Sequence, residues 1–251
     1  MATSFGALCT DFYINQKLAL KMDMPAERET ILHFFDRIRK SMPSMNRFRR
    51  YEGELALESS RRDTEYKWLA LRRTSIRSGH VNPQVMEDAY RFHRLLLEIS
   101  PYHLTISPLD VDYLELMLGF DLECKENHDR IIYEALFEQS PMAELLAEGD
   151  QHGKILDVQP VFGQSLTEDG DLQAYFEVKT RPKSRRGSSR GYRNEPISLF
   201  LTLRKYGPID DVKQLQTELD GLTKTAEQLA TDRLVPDLLT PIAQRINAGQ
   251  K

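Results

Sequence analysis

The stretch DLQAYFEVKTRPKSRRGSSRGYRNEPISLFLTLRKY, from Asp171 to Tyr206, decides the fold class of this chain. Apolar and polar residues alternate at both of its ends. Because successive side chains of a strand point to opposite faces, each end predicts a strand with one buried face. The middle of the stretch is rich in Gly, Ser and basic residues, which cannot support a hydrophobic core. The stretch therefore predicts a β-hairpin with an exposed polar face and a basic loop.

The alternation assigns every side chain of the hairpin to a face. The buried face would carry Leu172, Ala174, Phe176, Val178, Leu199, Leu201 and Leu203. The exposed face would carry Tyr175, Glu177, Lys179, Arg181, Ser198, Phe200, Thr202, Arg204 and Tyr206. The loop adds Lys183, Arg185, Arg186, Arg190 and Arg193. We expect residues 182–194 to be disordered without a partner, since they have little apolar surface to bury.

Composition restricts the class of protein and the kind of partner. The chain has 251 residues, of which 40% are hydrophobic and 29% charged, which is typical of a globular protein. No apolar run is long enough to span a bilayer. Cys9 and Cys124 are too few for a disulfide framework, so a cytoplasmic location is expected. The formal net charge is −4, so any site for an anion must be local.

Two units of similar order extend outward from this hairpin. Residues 1–105 predict a β-α-β-β-α unit, in which Arg50 to Ser59 and Glu65 to Arg77 each form one strand. Residues 106–251 predict a second unit that contains the hairpin and a long C-terminal helical region from Asp210. The expected class is α+β, with antiparallel sheet and with helices packed on one face. No cofactor is expected from either unit.

Local patterns in the two units correspond, which indicates an internal repeat. KLALKM with ETILHFF in the first unit corresponds to GFDLEC with DRIIYEALF in the second. This element order resembles a duplicated TATA-binding-protein-like fold, which implies a curved sheet with helices on one face. The sequence carries none of that family's DNA-contacting pattern, so the resemblance implies no activity. The phrases ISPLDVDYLEL and YRNEPISLFLTLRKYG are similar to those of a bacterial protein family that has no assigned activity.

Aromatic and basic residues alternate on the polar strand faces, and this face is the candidate binding site. The polar faces collect Lys17, Lys21, Trp68, Arg72, Tyr175, Lys179, Phe200, Arg204 and Tyr206. The predicted partner-binding residues are Arg72, Arg73, Arg77, Tyr175, Lys179, Arg181, Arg185, Arg186, Arg190, Arg193 and Arg204. Such a surface fits a protein partner or a local polyanion such as single-stranded nucleic acid, since rings stack on bases and cations bind phosphates. Cross-strand ion pairs on a solvated sheet would explain the same charges.

Two further features leave alternatives open. Asp110 and Asp112 would lie on one side of a strand, as in a metal-dependent enzyme that handles phosphate. A stripe of Val212, Leu215, Leu219, Leu222, Ala226 and Leu229 predicts either a helix lying on the sheet or an oligomer formed through residues 212–229. The sequence contains no P-loop, no G-x-G-x-x-G preceding a helix and no G-x-S-x-G, so nucleotide hydrolysis, dehydrogenation and serine hydrolysis lose their support.

Overall fold

The computed structural model describes residues 5–61, 64–145, 155–180 and 195–249. The strands are β1 (Asp11–Leu20), β2 (Arg47–Tyr51), β3 (Glu54–Glu58), β4 (Tyr66–Arg72), β5 (Ser75–Val81), β6 (Val111–Leu122), β7 (Val161–Ser165), β8 (Leu172–Lys179) and β9 (Ile197–Tyr206). The helices are α1 (Arg28–Ser41), α2 (Met86–His103), α3 (His128–Leu136), α4 (Gln214–Leu229) and α5 (Thr240–Gly249). A π-helical segment, Ala230–Leu239, joins α4 to α5. These elements confirm the predicted α+β class.

All nine strands form one antiparallel sheet, in the order β2-β3-β4-β5-β1-β6-β9-β8-β7. Strands β1 and β6 pair at its centre, and each is the first strand of its half of the chain. Outward from this pair, the order β1-β5-β4-β3 on one side matches β6-β9-β8-β7 on the other. Only β2 has no counterpart among the described strands. A duplication of the unit stays a prediction.

The first half contains five strands, so the prediction of three was wrong. Arg50 to Ser59 spans parts of β2 and β3 and the tight turn between them, where Gly53 has a φ of 69°. Glycine suits this left-handed conformation because it has no Cβ. Glu65 to Arg77 likewise spans two strands, β4 and β5, and the chain reverses at Arg73 and Thr74 without a Gly or Pro to mark the turn.

The helices cover one face of the sheet, and their apolar stripes form the core with the strands. Helix α4 packs against β6, β9 and α2. Its residues Leu215, Leu219, Leu222 and Ala226 are at most 2% exposed. This stripe therefore belongs to the chain's own core, as predicted for a helix lying on the sheet, and an oligomer formed through residues 212–229 stays a prediction. No helix in the described ranges has the length and apolar character needed to cross a membrane.

Two buried histidines lie beneath the sheet on this covered side. His93 of α2 is fully buried: its Nε2 lies 3.2 Å from the carbonyl oxygen of Ile14, and its Nδ1 lies 2.8 Å from Ser78 Oγ. Burial lowers the pKa of His93 to about 3. His80 of β5 is also buried, with Nε2 2.7 Å from the carboxylate of Glu65. Burial lowers its pKa to about 4, although Glu65 favours the protonated form.

Candidate ligand-binding face of the sheet

The face of the sheet opposite the helices, which we call the open face, carries mainly aromatic, charged and small side chains. Along β1, Phe12, Ile14 and Leu18 are buried on the covered side. Tyr13 and Lys17 alternate with them and are half-buried on the open face. The same alternation of burial continues through most of β6 and β8, and the strand registers place the corresponding residues of β4, β5 and β9 on the same face. The polar strand faces predicted from the sequence therefore lie together on one surface.

Three aromatic rings of the open face each cover a glycine on the neighbouring strand. The paired residues are Trp68 with Gly79, Tyr13 with Gly119 and Tyr175 with Gly163. A Cβ built on these glycines would lie 2.3 Å from Trp68 Nε1, 2.2 Å from Tyr13 Cε2 and 2.9 Å from Tyr175 Cε1. Any larger residue would displace the rings. Each ring thus rests on the backbone and stays partly accessible from the solvent side.

Strand register aligns four charged residues in one row across the centre of the open face. Arg77 of β5 lies opposite Lys17 of β1, and Lys17 lies opposite Glu115 of β6. Glu115 in turn lies opposite Arg204 of β9. We call these four residues the central row. It brings residues from both halves of the chain together, with three cations and one carboxylate.

Arg204 is held at one end of the central row by a carboxylate and by aromatic rings. Its Nε and NH2 groups donate to the same Glu115 oxygen at 3.0 and 2.7 Å, and its NH1 group donates to Tyr206 Oη at 3.1 Å. The guanidinium lies 4.7 Å from the Tyr113 ring centroid and 5.5 Å from that of Tyr175. Burial opposes the charge, but the bonds to Tyr206 and Glu115 raise the pKa of Arg204 above its usual value. Arg204 therefore stays charged and fixed in place.

The carboxylates of the open face are all engaged by neighbouring side chains. Their contacts are Glu54 with Arg72, Glu58 with Tyr51 and Arg61, Glu115 with Arg204, Glu177 with Lys179, Asp121 with Tyr13 and Ser198, and Asp11 with Asn82. Among the described residues, these contacts leave no carboxylate to pair with Lys17 or Arg77. Arginine and lysine thus balance the charges of the four glutamates, whereas Asp121 and Asp11, which lie opposite each other, accept hydrogen bonds from neutral side chains.

Lys17 and Arg77 are two adjacent cations to which the described residues offer no carboxylate partner. Lys17 Nζ donates to Tyr113 Oη at 2.5 Å and lies 4.8 Å from the Tyr113 ring centroid. Within the described part of the chain, neither Lys17 nor Arg77 forms an ion pair. Like charges directly opposite each other destabilise a strand pair. An anion bound at this position would remove that cost.

Comparison with known proteins gives no function for this face. The sequence matches no protein-family model and has no significant match among curated proteins. The chemistry of the open face therefore carries the functional argument.

The sequence-predicted site residues are only partly brought together. Arg72, Arg77, Tyr175 and Arg204 lie on the open face, and Lys179 lies at its end, paired with Glu177. Arg73 lies in the turn after β4 and contacts Asp23 at 3.0 Å. Five predicted residues lie outside the described part of the chain: Arg181, Arg185, Arg186, Arg190 and Arg193. The same holds for the expectation of disorder in residues 182–194.

The two basic strand ends lie at opposite ends of the open face. The turn after β4 follows Arg72, and the first residue after it, Ser75, pairs with Ala19 of β1. Lys179 pairs with Ser198, whose neighbours across the sheet are Asp121 and then Asp11 of β1. Ala19 and Asp11 are separated by about 26 Å, at a rise of about 3.3 Å per residue. A ligand that contacts both ends must therefore extend along the strands.

Tyr13 and Tyr113 were not predicted from the sequence as site residues. The glycines that the aromatic rings cover were not predicted either. The available signal was a glycine inside each of three strands, Gly79, Gly119 and Gly163. An interior glycine weakens a strand unless a neighbouring group occupies the space above it. Which ring covers which glycine depends on strand pairing, which alternation does not reveal.

The prediction that two aspartate side chains lie on the same side of one strand was wrong. Asp110 precedes β6 in a short 3₁₀ turn, where its side chain accepts a hydrogen bond from the Ser107 backbone N–H at 2.8 Å. Asp112 lies one residue into β6 and is exposed. The described residues contain no group of three or more His, Cys, Asp or Glu side chains placed to hold a metal ion. The geometry thus gives the metal-dependent enzyme no support.

Proposed function

We propose that the open face binds single-stranded nucleic acid. The observation that carries this proposal is the juxtaposition of Lys17 and Arg77, which form no ion pair with any described residue, with aromatic rings that rest on glycines beside them. Single-strand binding surfaces combine these two elements, because bases stack on rings while cations attract the phosphates. The protein would act as a binding module rather than as an enzyme, and a cytoplasmic location belongs to the same proposal.

The rings supply a platform for bases. The rings of Trp68, Tyr13 and Tyr175 rest on backbone, which already fixes their orientation. Little side-chain conformational entropy is therefore lost when a base stacks on them. Phe200 packs against Tyr13 with ring centroids 6.3 Å apart, which extends the platform onto β9. Each base stacked on such a ring contributes about 1–3 kcal/mol, with little dependence on sequence. The surface therefore favours broad rather than sequence-specific recognition.

The central row supplies the site for a phosphate. Lys17 and Arg77 are neighbours without a carboxylate, and Glu115 is occupied by Arg204. A phosphate between the two cations would replace repulsion by two charge-assisted contacts. The chain as a whole carries a charge of −4, so affinity would come from this local group and not from the overall charge.

The basic segment between β8 and β9 would extend the same site. Its six cations, Arg181, Lys183, Arg185, Arg186, Arg190 and Arg193, lie outside the described residues. The flanking strands end at Lys179 and begin at Ile197, at one end of the open face. A strand of nucleic acid that runs from the central row toward that end would come within reach of these residues.

Fluorescence anisotropy with labelled oligo(dT) and oligo(U) of about 12 nucleotides tests the proposal. The wild-type protein is compared with Lys17→Gln/Arg77→Gln across a potassium chloride series of about 20–200 mM. We expect the double variant to bind about tenfold more weakly, with a salt slope reduced by about 1.4, since each phosphate contact on a single strand contributes about 0.7.

Lys213→Gln/Lys224→Gln, at the N-cap of α4 and within it, is the matched control, because it removes the same charge from exposed positions on the helical side. This control should retain wild-type affinity and slope. Equal losses of affinity in the two double variants would mean that binding depends on the overall charge. No binding by the wild type at the lowest salt would reject nucleic acid and direct the search to a protein partner for the open face.

A further inference from the structure

Strand β7 forms one edge of the described sheet, and its outer backbone groups pair with no residue that the structure describes. Leu166 N–H donates to the Leu172 carbonyl, and Val178 N–H donates to the Pro160 carbonyl. Backbone groups of antiparallel strands alternate in direction, so even-numbered residues of β7 bond to β8. The N–H and C=O groups of Val161, Gly163 and Ser165 therefore point away from the sheet. No described residue pairs with them.

The opposite edge of the sheet is built differently. In the matching strand order, β7 corresponds to β3, but β3 is covered by β2 along its full length. The described part of the chain supplies no such strand beside β7. Exposed edges of this kind pair readily with other strands and are usually protected by charges, prolines or bulges. Within Val161–Ser165, none of these devices is present.

A cleft opens beside this edge on the helical side. It has a volume of about 350 Å³ and lies between β7, β8 and the π-helical segment. Phe162, Phe176 and Leu238 provide its apolar walls. Phe162 is 53% exposed although it lies on the covered side of the sheet, where most strand side chains are buried. The cleft has the size of a small ligand pocket and suits a large apolar side chain.

Gln164 adds a polar group to the same cleft. Its side-chain oxygen accepts a hydrogen bond from Arg233 at 3.2 Å, and its Nε2 is buried without a partner among the described residues. A buried amide donor without an acceptor is costly, so a carbonyl oxygen supplied from outside would stabilise it. The edge and the adjacent cleft thus both contain hydrogen-bonding groups that have no partner among the described residues.

We propose that β7 accepts an extended segment of a partner protein, which adds a strand to the sheet and inserts an apolar side chain into the cleft. Antiparallel pairing is expected, since every strand pair of the sheet is antiparallel. Backbone hydrogen bonds to Val161, Gly163 and Ser165 supply affinity, and the cleft supplies selectivity for alternate side chains.

The dimensions favour a peptide over a second copy of this chain. A five-residue edge is about 17 Å long. Together with one cleft it falls short of the roughly 800 Å² per partner that a stable interface buries. A short extended segment needs no more surface than this, because its own backbone is fully used.

The pairing geometry predicts which amides of the bound segment are needed. Paired residues on adjacent strands present their side chains to the same face. Val161, Gly163 and Ser165 face the open side, so the residues that bond to them also face that side. The residues whose side chains enter the cleft have backbone N–H groups directed away from β7. N-methylation should therefore be tolerated at cleft-facing residues and should abolish binding at the others.

The probe is the fluorescein-labelled, capped peptide Thr-Val-Thr-Phe-Thr-Val-Thr, followed by anisotropy. We expect binding that is weakened at least tenfold by N-methylation of the Thr residues and little changed by N-methylation of Val and Phe. Val161→Pro removes only an outward N–H, which an edge strand tolerates. It should weaken binding at least tenfold, whereas Val161→Thr keeps the N–H and should bind as the wild type does.

A second variant keeps the test decisive if Val161→Pro does not fold, as judged by its melting transition. Leu238→Trp fills the cleft and leaves the edge intact, and it should weaken the Phe peptide more than the same peptide with Ala in place of Phe. Equal binding of the two methylated peptides would overturn the proposal. A dimer of the free protein that Val161→Pro dissociates would overturn it as well, because the occupant would then be a second copy.

Discussion

Tyr13 covers Gly119 across the central strand pair, so closely that a Cβ on Gly119 would lie 2.2 Å from the Tyr13 ring. The ring is also held by a hydrogen bond from its hydroxyl to Asp121 and by the edge of Phe200. Tyr13 belongs to the first half of the chain, whereas Gly119, Asp121 and Phe200 belong to the second. The ring therefore joins the two halves on the open face.

Gly119→Ala should displace the Tyr13 ring from the sheet. Crowding of this kind costs about 1–3 kcal/mol of unfolding free energy, which urea unfolding would measure. The displaced ring would no longer offer a supported surface for a base, so affinity for oligo(dT) should fall as well. Gly221→Ala in α4 is the control, since nothing lies within 4 Å of a Cβ there. Unchanged stability and affinity in Gly119→Ala would show that the ring has room to move.

Arg204→Lys should destabilise the protein although the charge is kept. Lysine cannot donate from two nitrogens to Glu115 while reaching Tyr206, and it stacks less well on Tyr113. We expect a loss of about 1.5–3 kcal/mol of unfolding free energy, the usual range for a hydrogen bond to a charged group. Arg72→Lys, whose side chain is 52% exposed beside Glu54, should change stability by less than about 0.5 kcal/mol. Similar melting temperatures for both variants would contradict the assigned role of Arg204.

Acid should destabilise the protein through its buried histidines. The folded state holds the pKa of His93 at about 3 and that of His80 at about 4, below the ordinary value near 6.5. Between these values the unfolded chain binds protons that the folded chain does not. The free energy of unfolding should therefore fall as pH drops below about 6.5, by up to about 1.4 kcal/mol per pH unit for each histidine.

His93→Gln separates this effect from the titration of carboxylates. Urea unfolding between about pH 7 and pH 4 should give a shallower decline for the variant, by up to about 1.4 kcal/mol per pH unit. His33→Gln, at an exposed position of α1, should decline as the wild type does. Parallel curves for His93→Gln and the wild type would mean that His93 becomes protonated within the folded protein.

Replacing Arg185, Arg186, Arg190 and Arg193 by Ser should weaken nucleic-acid binding without changing stability. The flanking strands end at Lys179 and resume at Ile197, so the ladder between β8 and β9 does not depend on these residues. The salt slope should become shallower, by about 0.7 for each lost phosphate contact. If affinity and slope stay at wild-type values, the segment does not contact the ligand and the open face acts without it.

Local alternation was sufficient to predict the hairpin of β8 and β9, including the face on which Tyr175 and Arg204 lie. The same reasoning missed the turn at Arg73 and Thr74, because these residues have no special turn chemistry and the strands on both sides have similar composition. The α4 stripe fitted two outcomes, and its burial against β6 and β9 confirms the one in which the helix lies on the sheet.

The central row could not be predicted from the sequence. Periodicity determines which way Lys17 and Arg77 point along their own strands, but their contact arises from the pairing of β1 with β5. Glu115 enters the row only through the pairing of β1 with β6, from far along the chain. Register of this kind depends on the packing of the whole sheet, which no local pattern encodes.

The central pairing of β1 with β6 can form only after β6 has been synthesised. Tyr13 and Asp121, which bond across this pair, are 108 residues apart in the chain. At about 5–20 residues per second, the ribosome adds that length in about 5–20 s. Until then, β1 can pair with β5 on one side only, and its other edge stays open in the growing polypeptide. The middle of the finished sheet is therefore an edge during translation, and an open strand edge can pair with that of another nascent chain.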